Sequence, residues 1–253
     1  MEGPSGTDDR VIRVADRRIL AIVPAYNEEG AVGRVIEETR LHFPSVDVLV
    51  VYDGSTDGTA DVARSRGAHL VRFPFNCGIG TTMQTGYLFA LESGYDVAIQ
   101  VDGDGQHDPA QLMRLLKPIL DDTADVVIGS RFLSGDGYRS TAARRVGIAW
   151  LATLISRVTG QQITDPTSGF RAANRTAIAF FASEYPTDYP EPEVIVPLCR
   201  RGLRLVEVPV TMRQRQAGRS SITTLRSIYY MVKVTLAITV GLLRPSGRRR
   251  ADD

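Results

Sequence analysis

An α/β fold with a mainly parallel sheet flanked by helices is what this sequence predicts, on three observations. Apolar, β-branched runs of strand length alternate with helical patterns through the first half of the chain. Acidic or glycine-rich segments follow directly after four of those runs, at Pro24 to Glu28, Asp53 to Asp57, Asn76 to Gly80 and Asp102 to Gln106. In open α/β sheets ligands bind at the carboxyl ends of the strands, so the four loops are expected to converge on one crevice. Finally, no internal repeat or low-complexity linker interrupts the alternation, and 253 residues suit a single α/β domain with a short extension.

Strands are predicted from Ile19 to Val23, Val46 to Tyr52, His69 to Phe73, Val97 to Val101 and Val126 to Gly129. Between them, helices are predicted from Ala31 to His42, Thr59 to Arg66, Thr81 to Ser93 and Ala110 to Leu120, the last opened by Asp108 as a cap with Pro109 in its first turn. After Ser130 the pattern loosens. A Gly/Ser-rich loop from Ser134 to Ser140 leads into a helix from about Ala143 to Thr159, and Asp165 to Phe170 reads as a turn-rich connector. Tyr185 to Pro192 carries three prolines and cannot be helical throughout, and a late strand runs from about Leu203 to Val208.

Leu225, Ile228, Tyr229, Val232, Leu236, Val240 and Leu243 recur at helical spacing near the end, widened by Val234 and Ile238, so an amphipathic helix is predicted over 222–244. It is too short to span a bilayer and is interrupted by Lys233. Arg226 and Arg244 bracket it and Arg248 to Arg250 follow, an arrangement suited to an anionic lipid surface or a small membrane subunit; a core-closing helix is the plainer alternative. Arg213, Arg215 and Arg219 add to the basic character of this end. The boundaries that follow are a disordered start over 1–17, a catalytic domain over 18–221, the helix, and a tail over 245–253.

With 30 basic and 29 acidic residues, the net charge of +1 gives no electrostatic case for nucleic acid. Two cysteines, Cys77 and Cys199, are too few for a thiolate metal cluster or a disulfide framework, so a reducing cytoplasm is the simplest expectation. The start MEGPSGTDDR has no apolar segment to act as a signal peptide.

The sharpest chemical signal is Gln100-Val101-Asp102-Gly103-Asp104-Gly105-Gln106-His107, a strand running into two carboxylates one residue apart. A hard divalent cation bound to a diphosphate needs protein oxygens on one side, which Asp102 and Asp104 can supply, with Gln106 adding an amide oxygen. Gly103 would let the backbone come close to a ligand. Taken alone, the segment is also an ordinary Asp/Gly turn. Pro24 to Glu29 offers Tyr26 to stack on a base and Glu28 to accept from it, and Asp53 could read base or ribose; favourable charge at a helix N-terminus is the plainer account of Glu28 and Glu29, and helix capping that of Ser55 to Asp57. His107 is expected to turn away from the acidic turn and to pack. Asp165 and Glu193 are candidates for an acceptor-side base, Asp165 alternatively as a turn residue.

Together these segments resemble family 2 glycosyltransferases of the GT-A fold, most closely the polyprenol-phosphate (dolichol-phosphate) mannosyltransferase-like branch. The resemblance runs from about Arg18 to Ser221 through PAYNEE, DGSTDGT, NCGIG, DGDGQH, GSRF, DPTSGFRA and RQAGRSS, in that order. It implies that Pro24, Tyr26, Glu28, Val51 and Asp53 hold the nucleoside, with Asp102 and Gly103 beside its ribose and diphosphate and Arg215 also on the donor. Asp104 and Gln106, with Asp102, would ligate Mg2+ or Mn2+. Arg131 matches the family's arginine near the transferred sugar and acceptor phosphate, with a salt bridge as its plainer role. The chain departs from the branch at Tyr52, Ile79 and Ser221, where relatives carry Asp, Lys and Lys.

The implied reaction is inverting transfer of a hexose from a GDP-, UDP- or dTDP-linked donor to a polyprenyl phosphate or other envelope glycan acceptor. The enzyme is expected to be peripheral on the cytoplasmic face of the membrane, with a homo-oligomer left open. A non-catalytic nucleotide-sugar binding module and a sugar-1-phosphate nucleotidyltransferase are the alternatives. The latter would place a glycine-rich basic loop after the first strand, where this chain has Pro24 to Glu29, and a dehydrogenase would need G-x-G-x-x-G there.

Overall fold

The computed structural model describes residues 17–133, 142–213 and 224–243. Arg215, the start over 1–16 and the tail with Arg248 to Arg250 lie outside the described residues. Seven strands form one sheet: β1 (Ile19–Ala25), β2 (Val46–Asp53), β3 (His69–Phe73), β4 (Val97–Gln100), β5 (Val126–Ser130), β6 (Arg171–Asn174) and β7 (Leu205–Pro209). Their order is β3-β2-β1-β4-β6-β5-β7. All neighbours pair in parallel except β6, which runs antiparallel to both β4 and β5.

The central strands are apolar on both sides because both faces of the sheet are covered. Ile19 to Val23 are all buried, and residues of β1 and β2 alternate between two cores: Leu20, Ile22, Leu49 and Val51 lie in one, Ile19, Ala21, Val48 and Val50 in the other. The helices supplying those faces are α1 (Val32–His42), α2 (Thr59–Ser65), α3 (Ile79–Glu92), α4 (Leu112–Leu120), α5 (Ala142–Thr159), α6 (Arg175–Ser183), α7 (Pro190–Glu193), α8 (Ile195–Arg200) and α9 (Thr224–Leu243). A 3-10 turn, Pro109–Gln111, precedes α4, and Asp108 caps it through Ala110 N as expected.

The expected strands and helices of the first half are present with ends shifted by a residue or two. The additions fall later. β6 is only Arg171-Ala172-Ala173-Asn174, whose small residues carry no strand signal, yet it is wedged between two buried strands and closes the sheet. Asn174 then caps α6 by accepting from Ala177 N.

The C-terminal helix forms as predicted, but its apolar residues divide between two faces. Among the described side chains of the stripe, which exclude Leu225, Ile228, Tyr229 and Leu243, Val234 and Ile238, expected only to widen it, are buried in the core, while Val232, Leu236 and Val240 are exposed. Beside them on α5, Val146 and Trp150 are exposed as well, and Trp150 Nε1 donates to Thr235 Oγ1. The helix therefore closes the core and also carries an outward apolar face. Two cations of this basic end pair within the protein: Lys233 with Asp188, and Arg213 with Glu38 and Asp108. Among the described residues no helix is long and apolar enough to cross a membrane.

Candidate functional site

The sheet order reverses between β1 and β4, and the loops after β1, β2 and β4 gather at that switch point. The loops after β1 and β2 are laced to each other. Asn27, in the left-handed region at φ 56°, accepts from Thr56 N at 2.9 Å, and its own N–H donates to Ser55 Oγ at 3.0 Å. Glu28 N donates to Thr59 Oγ1. Glu29 accepts from Gly58 N at the start of α2, and its N–H donates to Asp57. Burial works against the charge on Asp57, but its hydrogen bonds from Thr59 and Glu29 hold its carboxyl below the ordinary range.

Asp53 is buried at the end of β2, with Oδ1 accepting from Cys77 N at 2.6 Å and Oδ2 from Gly78 N at 3.1 Å. Its carboxylate thus organises the NCGIG turn. The side chain of Val51 is fully buried in the core, so any contact of Val51 with a nucleoside would be through its backbone. Tyr26 is 48% exposed at the rim, just after β1, whose last two residues are Pro24 and Ala25, and Glu28 is buried.

The acidic turn leaves β4 with Asp102 half-buried and Asp104 buried. Gln100 Nε2 donates to Asp102 Oδ1 at 3.1 Å, and Asp104 Oδ1 accepts from Gln106 N at 2.9 Å. A Cβ on Gly103 would meet Pro24 O at 2.9 Å. Glycine there serves the close approach of this turn to β1, a reason internal to the protein and different from the ligand approach expected of it.

His107 does not turn away from the acids. Its Nδ1 accepts from Asp102 N at 3.0 Å, which leaves the proton on Nε2, 3.4 Å from Asp102 Oδ2. The ring stacks on Phe170, with centroids 4.6 Å apart. Burial pushes the imidazole's pKa down, outweighing the pull of Asp102 and Asp104. A neutral packing residue that also steadies Asp102 is the result.

On the other side, Arg131 and Asp165 form a buried bidentate pair. Nε lies 2.6 Å from Oδ2 and an Nη nitrogen 2.7 Å from Oδ1, with Arg131 N donating to Oδ2 as well. The two side chains are 7% and 0% exposed. Both oxygens of Asp165 are committed to Arg131, which corrects its candidacy as an acceptor-side base. Glu207 on β7 holds the loop from below, accepting from Thr164 N and Asp165 N. Sequence reasoning missed Glu207.

It also missed Arg171 and Glu191. Arg171, the first residue of β6, is almost fully buried and donates to Ser168 O and Pro166 O, bracing the 165–170 turn. Glu191 on α7 faces it and Gln100; burial pushes its carboxyl pKa up, against the pull of Arg171. The PEPE run was the available signal, but nothing local says which acid turns inward. Glu193 is also shifted up by burial, next to Asp188 and Lys233.

Asp102, Asp104 and Gln106 offer hard oxygens of the kind Mg2+ or Mn2+ prefers, and the edge of Asp102 is open to the crevice. Among the described residues no cluster of three or more His, Cys, Asp or Glu forms a protein-only cage. Two carboxylates and an amide fit an ion that shares its remaining positions with phosphate and water.

Comparison with known proteins agrees with this arrangement. The family model described as Glycosyl transferase family 2 matches residues 20–180. An undecaprenyl-phosphate mannosyltransferase of Micrococcus luteus is 37% identical over 215 residues, covering 81% of this chain and 88% of the relative. A polyprenol monophosphomannose synthase of Mycolicibacterium smegmatis is 32% identical over 232 residues, covering 88% and 87%. Among solved structures, glucosyl-3-phosphoglycerate synthase of Mycobacterium tuberculosis superposes with a TM-score of 0.73 at 21% identity, over 97% of this chain and 88% of that one. That last likeness is one of fold, the GT-A fold.

Proposed function

This chain belongs to glycosyltransferase family 2, and from that premise we propose that it transfers a hexose from a nucleoside-diphosphate sugar to a polyprenyl phosphate, with inversion and with a divalent cation. The observation that carries the reading is that two acidic residues, Asp102 and Asp104, and Arg131 of the buried Arg131–Asp165 pair follow the carboxyl ends of β4 and β5, with the charges of Asp102, Asp104 and Arg131 all acting on the buried His107. The two curated relatives act, by their names, on undecaprenyl phosphate and polyprenol.

In this reading Tyr26 stacks on the base, while Glu28 and Asp53, with the backbone at Pro24 and Val51, frame the nucleoside. Asp102, Asp104 and Gln106 would hold Mg2+ or Mn2+, which when bound offsets charge building on the leaving diphosphate. Arg215, outside the described residues, is assigned to the donor from its sequence motif alone. Arg131 presents a fixed positive charge to the transferred sugar and the acceptor phosphate, with Asp165 holding its guanidinium plane. An acceptor phosphate is already ionised near neutral pH and attacks the anomeric carbon without a strong base. The commitment of Asp165 to Arg131 favours such an acceptor over a sugar hydroxyl, which would need a free carboxylate.

A lipid acceptor also gives the outward face of α9 a role. Val232, Leu236 and Val240, beside Trp150, would rest on an anionic membrane surface, with the exposed arginines at the start of α5 nearby.

The test is transfer of label from GDP-, UDP- and dTDP-hexoses to undecaprenyl phosphate with Mn2+ or Mg2+, followed in the organic phase. Asp104→Asn should lower transfer by roughly a hundredfold or more while leaving thermal stability near wild type. Full activity in EDTA, or donor hydrolysis with no lipid product, would sink the proposal.

A further inference from the structure

Gln100 is a buried amide with an unusual balance. It is 1% exposed, its Oε1 has no hydrogen-bond partner, and its Nε2 donates to Asp102 Oδ1 at 3.1 Å while the same amide faces the Glu191 carboxylate. Leaving a buried carbonyl without a partner is unfavourable, so something must hold the amide in that orientation. Electrostatics supplies the reason. Flipping the amide would turn its oxygen toward the Asp102 carboxylate, whereas the present orientation aims an N–H donor at it, with Glu191 close by. A side chain at Gly169 would strike this amide, its Cβ falling 2.6 Å from Nε2 and 3.5 Å from Asp102 Oδ1, so the glycine keeps the space.

We propose that Gln100 and Glu191 are positioning residues for Asp102: the amide bridges the two acids and fixes the Asp102 carboxylate toward the crevice, tying it to α7. His107 steadies Asp102 from the opposite side through its backbone N–H and Oδ2. Arg171, beneath Glu191, offsets the charge that two neighbouring acids would otherwise accumulate. The bridge spans two regions far apart in the chain, since Gln100 ends β4 and Glu191 lies on α7. This inference rests on Asp102 being a metal and donor ligand, and adds the groups that orient it.

Mn2+ binding measured by the loss of free-ion electron paramagnetic resonance, alone and then with UDP or GDP, tests it without turnover. Gln100→Leu removes both donors and the unpartnered oxygen, so its melting temperature should stay close to wild type while Mn2+ affinity falls by roughly ten- to a hundredfold. Glu191→Gln still accepts from the amide and should keep most of the affinity and kcat, whereas Glu191→Leu should lose them as Gln100→Leu does. A Gln100→Leu protein that binds Mn2+ like wild type overturns the inference alone. Glu191→Gln as damaging as Glu191→Leu overturns it too, by assigning Glu191 to the reaction as an acid or base. A wild-type protein that binds no Mn2+ with either nucleotide overturns both this inference and the function it rests on.

Discussion

The loops after β1 and β2, which we propose hold the donor, and the Arg131–Asp165 region, which we propose faces the acceptor, use their charged residues in opposite ways. After β1 and β2, Asn27, Glu29, Asp53 and Asp57 turn their oxygens onto backbone N–H groups within the same pair of loops or the next turn. Each such bond contributes modestly, and several act in parallel. On the acceptor side, charge meets charge inside the protein: Arg131 with Asp165, and Arg171 near Glu191. A buried pair has no water to replace a missing partner. The contrast teaches that one half of the site should tolerate single losses while the other should not.

The largest effect is expected at the buried pair. Asp165→Ala leaves a guanidinium without its counter-charge and should cost about 3–5 kcal/mol in stability, read from denaturant midpoints. The double variant Arg131→Met with Asp165→Leu should regain much of that stability and none of the transfer activity. If Asp165→Ala melts like wild type, the distinction between the two halves collapses.

A smaller effect is expected on the donor side. Asp53→Asn keeps one acceptor for the Cys77–Gly78 turn and loses the other, so stability should fall by about 1–2 kcal/mol and nucleotide affinity should weaken more than the rate with saturating donor. A loss as large as that of Asp165→Ala would mean the donor loops are no more redundant than the buried pair.

The smallest effect in solution, and the most selective, belongs to α9. Deleting the helix would remove Val234 and Ile238 from the core, so point changes on its outer face are the cleaner probe. Leu236→Glu together with Val232→Glu should leave nucleotide binding and melting unchanged but abolish sedimentation with anionic vesicles at low salt. Wild-type protein that fails to sediment would remove the membrane from the acceptor side.

What the sequence determined by itself was the alternation of strands and helices, the loops at strand ends and the acidic turn. Those signals are short-range: apolar runs, Asp108-Pro109 at a helix start, and capping acids next to the amides they serve. The plain reading of Asp57 as a cap was available and holds, whereas Glu29 accepts from Gly58 N at the start of α2 and not from the helix it precedes. Tertiary structure decided the rest. Asp165 is 34 residues from Arg131, and no local pattern says that the turn after α5 will swing back under β5. β6 is a strand only because β4 and β5 leave a gap that four small or long-stemmed residues can fill. The apolar residues of α9 were readable as one stripe, but which of them face the core depends on where α5 and α7 lie, and that packing gave Val234 and Ile238 the inside. Periodicity and capping are written within a few residues, whereas charge pairing and burial belong to surfaces that exist only after distant segments have met.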